Sequence, residues 1–131
     1  MPAPVVLQKI LYVEDEKDIQ TVARMALEMV GKFTVKTCSS GGEALGEFAA
    51  FRPDLVLLDV MMPEMDGPTT LARIRELAGG ERIPVVFMTA KVQPHEIANL
   101  KKLGALDVIA KPFDPMTLSN SIRTIWDTAS R

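Results

Sequence analysis

Leu55-Val56-Leu57-Leu58-Asp59-Val60-Met61-Met62-Pro63-Glu64-Met65-Asp66-Gly67 is the stretch on which the reading of this chain turns. Four apolar residues run without a polar break and stop at a carboxylate. A strand covered on both faces reads this way, because neither face needs polar side chains. A loop with a proline follows, and Asp66 is placed to cap a helix. Leu71, Ile74 and Leu77 then recur at helical spacing, and Gly79 and Gly80 close the segment. The unit is strand, acid, loop, helix.

The same unit recurs on either side. Ile10-Leu11-Tyr12-Val13, Val85-Val86-Phe87-Met88 and Val108-Ile109-Ala110 are further continuous apolar runs. Phe33-Thr34-Val35-Lys36-Thr37-Cys38 alternates instead, which suits a sheet edge with one wetter face. Ile19, Val22, Ala26, Met29 and Val30 form an apolar helical stripe stopped by Gly31. Ser40 with Glu43 resembles a capping box ahead of Ala44, Leu45 and Phe48. Ile97, Leu100 and Leu103 make another stripe, ended by Gly104. Asp114 and Pro115 read as the cap and first residue of a last helix, whose buried face is Leu118, Ile122 and Ile125. Five strand–helix units predict a doubly wound α/β domain with right-handed crossovers. Residues 1–7 read as a tail and 8–128 as the domain.

The chain has 131 residues, enough for one domain. Its net charge of −2 gives no electrostatic reason to expect nucleic acid or an anionic membrane as partner. The single cysteine, Cys38, rules out an internal disulfide and reads as a small apolar residue. No run approaches the roughly 20 apolar residues that span a bilayer, and the start lacks the pattern of a signal peptide. The expected location is the cytoplasm.

Ligands of open α/β sheets lie beyond the carboxyl ends of the strands. There this chain carries Glu14, Asp15 and Glu16, then Asp59, then Thr89, then Lys111. Crowded carboxylates repel, and a bound cation relieves them; oxygen ligands with room for water suit magnesium. A phosphoryl group could then approach Asp59, whose oxygen would attack phosphorus and form an acyl phosphate. Lys111 would offset charge on the phosphoryl oxygens, and Thr89 could donate to one of them.

The Leu57–Gly67 run, Val13-Glu14-Asp15-Glu16, Met88-Thr89-Ala90 and Ala110-Lys111-Pro112-Phe113 together resemble the response-regulator receivers of two-component systems, over about residues 8–128. The resemblance implies a flavodoxin-like five-stranded parallel sheet in order 2-1-3-4-5 with five helices. It implies Asp59 as phosphoacceptor, Lys111 as the phosphate-pairing lysine and Thr89 as the switch hydroxyl. Mg2+ would be held by Asp15, Asp59 and the main-chain carbonyl of Met61, with Glu14 acting mostly through water. The bond from Lys111 to Pro112 would be cis. The implied partners are a sensor histidine kinase or histidine phosphotransfer protein and a downstream target protein. With Arg131 the last residue and no output domain attached, output by protein contact or relay is expected.

Two departures stand out. Val108 occupies a position where the family often has an aromatic partner for the threonine, so output through the fourth helix, fifth strand and fifth helix needs another relay. Glu14 replaces the commoner Asp. Met61 and Lys91, two residues beyond Asp59 and Thr89, would flank the path of hydrolytic water and slow loss of phosphate.

Alone, Asp59 is equally a loop acid, Glu14-Asp15-Glu16 a charged helix entry and Lys111 a surface lysine; their order at successive strand ends favours chemistry. His95 reads as exposed, Trp126 as a partly buried flank, and Met61, Met62 and Met65 as packing residues. Phosphatases of the haloacid dehalogenase type place a second Asp where this chain has Met61, so rapid turnover lacks its proton carrier. A flavodoxin-like cofactor binder needs a phosphate-cradling loop where three acids stand. The remaining alternative is a receiver-like binding module that is not phosphorylated.

Overall fold

The computed structural model describes residues 6–129. Its strands are β1 (Lys9–Val13), β2 (Thr34–Cys38), β3 (Leu55–Asp59), β4 (Val85–Thr89) and β5 (Asp107–Ala110). All pair in parallel, in the order β2-β1-β3-β4-β5. The helices are α1 (Lys17–Met25), α2 (Gly41–Phe51), α3 (Gly67–Arg75), α4 (Pro94–Lys102) and α5 (Leu118–Ala129). The expected architecture is therefore present. No helix among the described residues is long and apolar enough to cross a membrane.

Two cores explain the unbroken apolar runs. On one face Leu11, Val13, Val56, Leu58, Val85 and Phe87 meet Phe48, Leu71 and Ile74 from α2 and α3. On the other, Ile10, Tyr12, Leu57 and Val86 meet Ala23, Leu27, Leu118 and Ile122. Successive strand residues point to opposite faces, so both parities must be apolar. Every residue of β3 and β4 is buried.

Local chemistry sets the helix starts. Ser40 Oγ accepts from the Glu43 amide at 3.0 Å, and Glu43 Oε1 accepts from the Ser39 amide at 2.8 Å. Asp66 Oδ1 accepts from the Thr69 amide at 2.8 Å. Gly67 lets α3 begin against the end of β3, because a Cβ there would collide with the Asp59 carbonyl oxygen and Val60 Cα.

Several expectations need correction. Residues 1–5 of the expected tail lie outside the described residues, but Leu7 is buried in the second core, so packing starts before residue 8. The α1 stripe faces outward at Val22, Met29 and Val30. The buried row is Ala23, Ala26 and Leu27, with i, i+3, i+4 spacing. Small alanines let α1 approach the sheet, and a π-helical segment, Ala26–Val30, alters the phase beyond Met25. β5 is only partly buried, because it is the second edge strand and α4 beside it has no buried residue. Leu103, expected to pack, is exposed. α5 starts at Leu118 rather than Pro115. Asp114 still caps, its Oδ1 accepting from the Met116 amide at 2.8 Å, but Pro115–Thr117 form a turn.

Candidate functional site

The strand register brings the chemistry together. Val13 pairs with Leu58, Asp59 with Met88, and Thr89 with Ala110, so β1, β3, β4 and β5 end on one rim. There Lys111 Nζ bridges Glu14 Oε1 at 3.0 Å and Asp59 Oδ1 at 3.1 Å. Glu14 is fully buried and Asp59 is 4% exposed. The second Glu14 oxygen accepts from the Glu16 amide at 3.2 Å. The Glu14 main chain is fixed too: its amide donates to the Cys38 carbonyl, and its carbonyl accepts from Gln20 Nε2. The Lys111 amide donates to the Thr89 carbonyl at 2.9 Å, and the Lys111–Pro112 bond is cis.

One ammonium faces three carboxylates. Oxygens of Glu14, Asp15 and Asp59 all lie within 4.8 Å of one another, and Asp15 Oδ1 is buried with no hydrogen-bond partner. Burial pushes the carboxyls of Glu14 and Asp59 above their ordinary range; the hydrogen bonds from Lys111 oppose this without cancelling it. For Lys111, burial works against the charge, yet the two carboxylates outweigh it and the net direction is upward. A deficit of positive charge, an orphaned carboxylate oxygen and an all-oxygen donor set fit a hard divalent cation.

Thr89 is buried, and its Oγ1 accepts from the Lys91 amide at 3.1 Å. Met62 is buried, whereas Met61 is 66% exposed beside Asp59, so it does not pack in the core as expected. Met65 is half-buried. Lys91 and His95 are exposed, Val108 is half-buried, and Trp126 lies half-buried against the second core. Burial pushes the Cys38 thiol up to about 12, which leaves it a packing residue. One contributor had no chemical signature in the sequence: Gln20, which ties α1 to the end of β1. An apolar groove lined by Ile19, Val22, Ala90, Pro112 and Phe113 runs up to Lys111.

Residues 10–123 match the family described as the response regulator receiver domain. The chain belongs to that family. The receiver is 36% identical over 118 residues to the alkaline phosphatase synthesis transcriptional regulatory protein PhoP of Bacillus subtilis, covering 90% of this chain and 48% of that protein. It is 36% identical over 116 residues to the transcriptional regulatory protein CseB of Streptomyces coelicolor, covering 88% and 48%. The chain thus spans about half the length of the curated relatives it matches. Chemotaxis protein CheY4 of Vibrio cholerae superposes with a TM-score of 0.83 at 28% identity, covering 92% of this chain and 99% of that one. The BeF3-activated DrrB receiver domain superposes with a TM-score of 0.76 at 27% identity, covering 93% and 99%. The receiver is thereby a two-component signalling domain. The expectation of no nucleic-acid partner needs qualifying, since these relatives are named transcriptional regulators.

Proposed function

We propose that this receiver takes a phosphoryl group onto Asp59 from a phosphohistidine of a sensor histidine kinase or histidine phosphotransfer protein, with magnesium, and thereby switches a protein–protein contact in the cytoplasm. The observation that carries this reading is Lys111 bridging two buried acids beside an unpartnered Asp15. An Asp59 oxygen attacks phosphorus; the new O–P bond replaces the donor's P–N bond, and the imidazole leaves with the electron pair and takes up a proton. Lys111 turns from Glu14 to the phosphoryl oxygens. Asp15, Asp59 and the Met61 main-chain carbonyl would hold magnesium, with Glu14 acting through water. The cation would supply charge neutralisation for the transferred group. The hydroxyl proton of Thr89 points to a new acceptor once a phosphoryl oxygen is near, which draws its loop inward.

Mass measurement after treatment with a small phosphodonor and magnesium tests this. One phosphoryl addition is expected, lost with chelator; no addition in either case favours the unphosphorylated binding module.

Two further predictions arise here. Met61 is free to lie over the aspartyl phosphate, so Met61→Asn should speed dephosphorylation by up to about tenfold, the effect of roughly 1.4 kcal/mol on a barrier. An unchanged rate of label loss removes that role. The groove at Ile19, Val22 and Phe113 opens beside Lys111, so a protein donor must cross it to reach Asp59. Val22 is 45% exposed, and Val22→Asp should slow transfer from a phosphohistidine protein about tenfold, a loss of roughly 1.4 kcal/mol at the docking surface. Labelling by a small phosphodonor should not change. Equal slowing with both donors would mean damage to the site itself.

Output follows from packing and charge. α4 has no buried residue, so it is the helix most easily displaced when the Thr89 loop moves. The near-balanced net charge of −2 gives no overall electrostatic drive toward DNA, which fits a domain that passes its state to another protein surface.

A further inference from the structure

Tyr12 is the only tyrosine in the chain and the largest fully buried side chain. Its hydroxyl has no hydrogen-bond partner, an expensive arrangement for a buried donor. Most of its ring sits in the apolar core between the sheet and α1 and α5, where an aliphatic side chain would serve. The strand pleat directs Tyr12 to the same face as Glu14, two residues on. Glu14 acts on the hydroxyl through its charge and through a hydrogen-bond approach, and Asp59 through its charge, so the phenol already lies against Glu14 but falls short of full hydrogen-bond geometry.

The reason it stays idle is visible at Glu14. One oxygen is occupied by Lys111 and the other by the Glu16 amide. Phosphoryl transfer changes that, because Lys111 cannot bridge Glu14 and also serve the phosphoryl oxygens from the same position. Its departure would strip a fully buried carboxylate of its main donor and leave that charge uncompensated if nothing replaced it. Of the two buried hydroxyls without a partner among the described residues, those of Tyr12 and Thr37, it is the phenol of Tyr12 that interacts with Glu14.

We infer that Tyr12 is a positioning residue of the acidic pocket, whose hydroxyl donates to Glu14 when Lys111 leaves that carboxylate for the phosphoryl group. The inference rests on the phosphoacceptor reading above. The hydroxyl is then a stored donor: unsatisfied at rest, satisfied in the loaded state, and favouring the loaded state on both counts.

Tyr12→Phe keeps the ring and removes only the hydroxyl. The probe is beryllofluoride with magnesium, standing for the phosphoryl group. Expected for Tyr12→Phe is a resting melting temperature no lower than the parent's, with beryllofluoride–magnesium binding weakened about tenfold. In the parent, labelled with 13C at the phenol carbon, the single tyrosine signal should move when both ligands are added, and this movement should vanish in Glu14→Ala. Unchanged affinity in Tyr12→Phe overturns the inference. So does a fall in both melting temperature and affinity, which is the pattern of a packing residue, and so does a tyrosine signal that stays put or moves equally in Glu14→Ala. If the parent itself binds no beryllofluoride with magnesium, the phosphoacceptor reading falls and this inference with it; parental binding with an indifferent variant removes this inference alone.

Discussion

Asp59→Asn should abolish phosphorylation while making the resting protein more stable. The first effect is chemical. An amide oxygen lacks the anionic lone pair that attacks phosphorus, and no other carboxylate at the rim touches Lys111 except Glu14, whose second oxygen is held by the Glu16 amide. Labelling by a small phosphodonor with magnesium should fall below detection. Persistent acid-labile phosphate would place the acceptor elsewhere. The second effect is electrostatic. Burial, with the Asp15 charge adding to it, raises the Asp59 carboxyl above its unfolded value of 3.8, despite Lys111. The folded state then holds a proton at pH values where the unfolded chain has released it, so stability falls as pH rises from 3.8 through the folded value. Above that window the penalty is complete, and the asparagine variant avoids it. A gain on the order of 1 kcal/mol is expected in neutral buffer with chelator, shrinking to nothing below pH 3.8. Urea unfolding across this pH range measures it. A variant less stable than the parent at neutral pH would mean that the Lys111–Asp59 contact outweighs the cost of burying the acid.

These opposing demands also explain how much could be read before the fold was known. Strand positions were legible because burial on both faces leaves an unbroken apolar run, as at Leu55–Leu58. The site was legible because a sheet rim collects whatever ends each strand, so Asp59, Thr89 and Lys111 needed only to be counted outward from those runs. Strand order was not in the runs themselves; it came with the family resemblance. The buried face of α1 was read correctly only at Ala26: Ala23 carries little hydrophobic signal, and the π-helical segment from Ala26 turns Leu27 inward and Met29 and Val30 outward. Val22 and Met29 carry a strong signal and face outward beside a groove. The weak cover over β5 depends on α4, whose stripe of Ile97, Leu100 and Leu103 looks amphipathic but buries none of them fully. Tyr12 was invisible as a site residue since a tyrosine inside an apolar run reads as core; only its unpaired hydroxyl beneath Glu14 distinguishes it.

Lys111→Met should be the most destabilising single change at the site, and the loss should depend on pH and on magnesium. The lysine side chain is 14% exposed and faces Glu14 at 0% and Asp59 at 5%. Removing one partner of a buried pair leaves charge without compensation, which costs about 3–5 kcal/mol. Folding raises the Lys111 pKa above its ordinary 10.5, so its contribution is fully present at neutral pH and is lost only as pH climbs through the folded value. The acids impose the opposite trend. Without the ammonium their folded pKa values move further up, and the variant should recover toward the parent as pH falls toward 4.5 and 3.8, the unfolded values of Glu14 and Asp59. Magnesium should rescue the variant more than the parent, because the cation then replaces the only local positive charge and has no ammonium to displace. Lys111→Arg keeps the charge, so most stability should survive. A planar fork does not reproduce a compact ammonium between two carboxylates, however, and the response to phosphorylation should be blunted. Chemical denaturation at neutral and acid pH, with magnesium or chelator, separates these cases. Parental stability of Lys111→Met in chelator at neutral pH would show that the buried acids are already neutral, and that they need neither the ammonium nor a divalent cation. In that event the pocket could not be the charge-deficient site on which phosphoryl transfer to Asp59 depends.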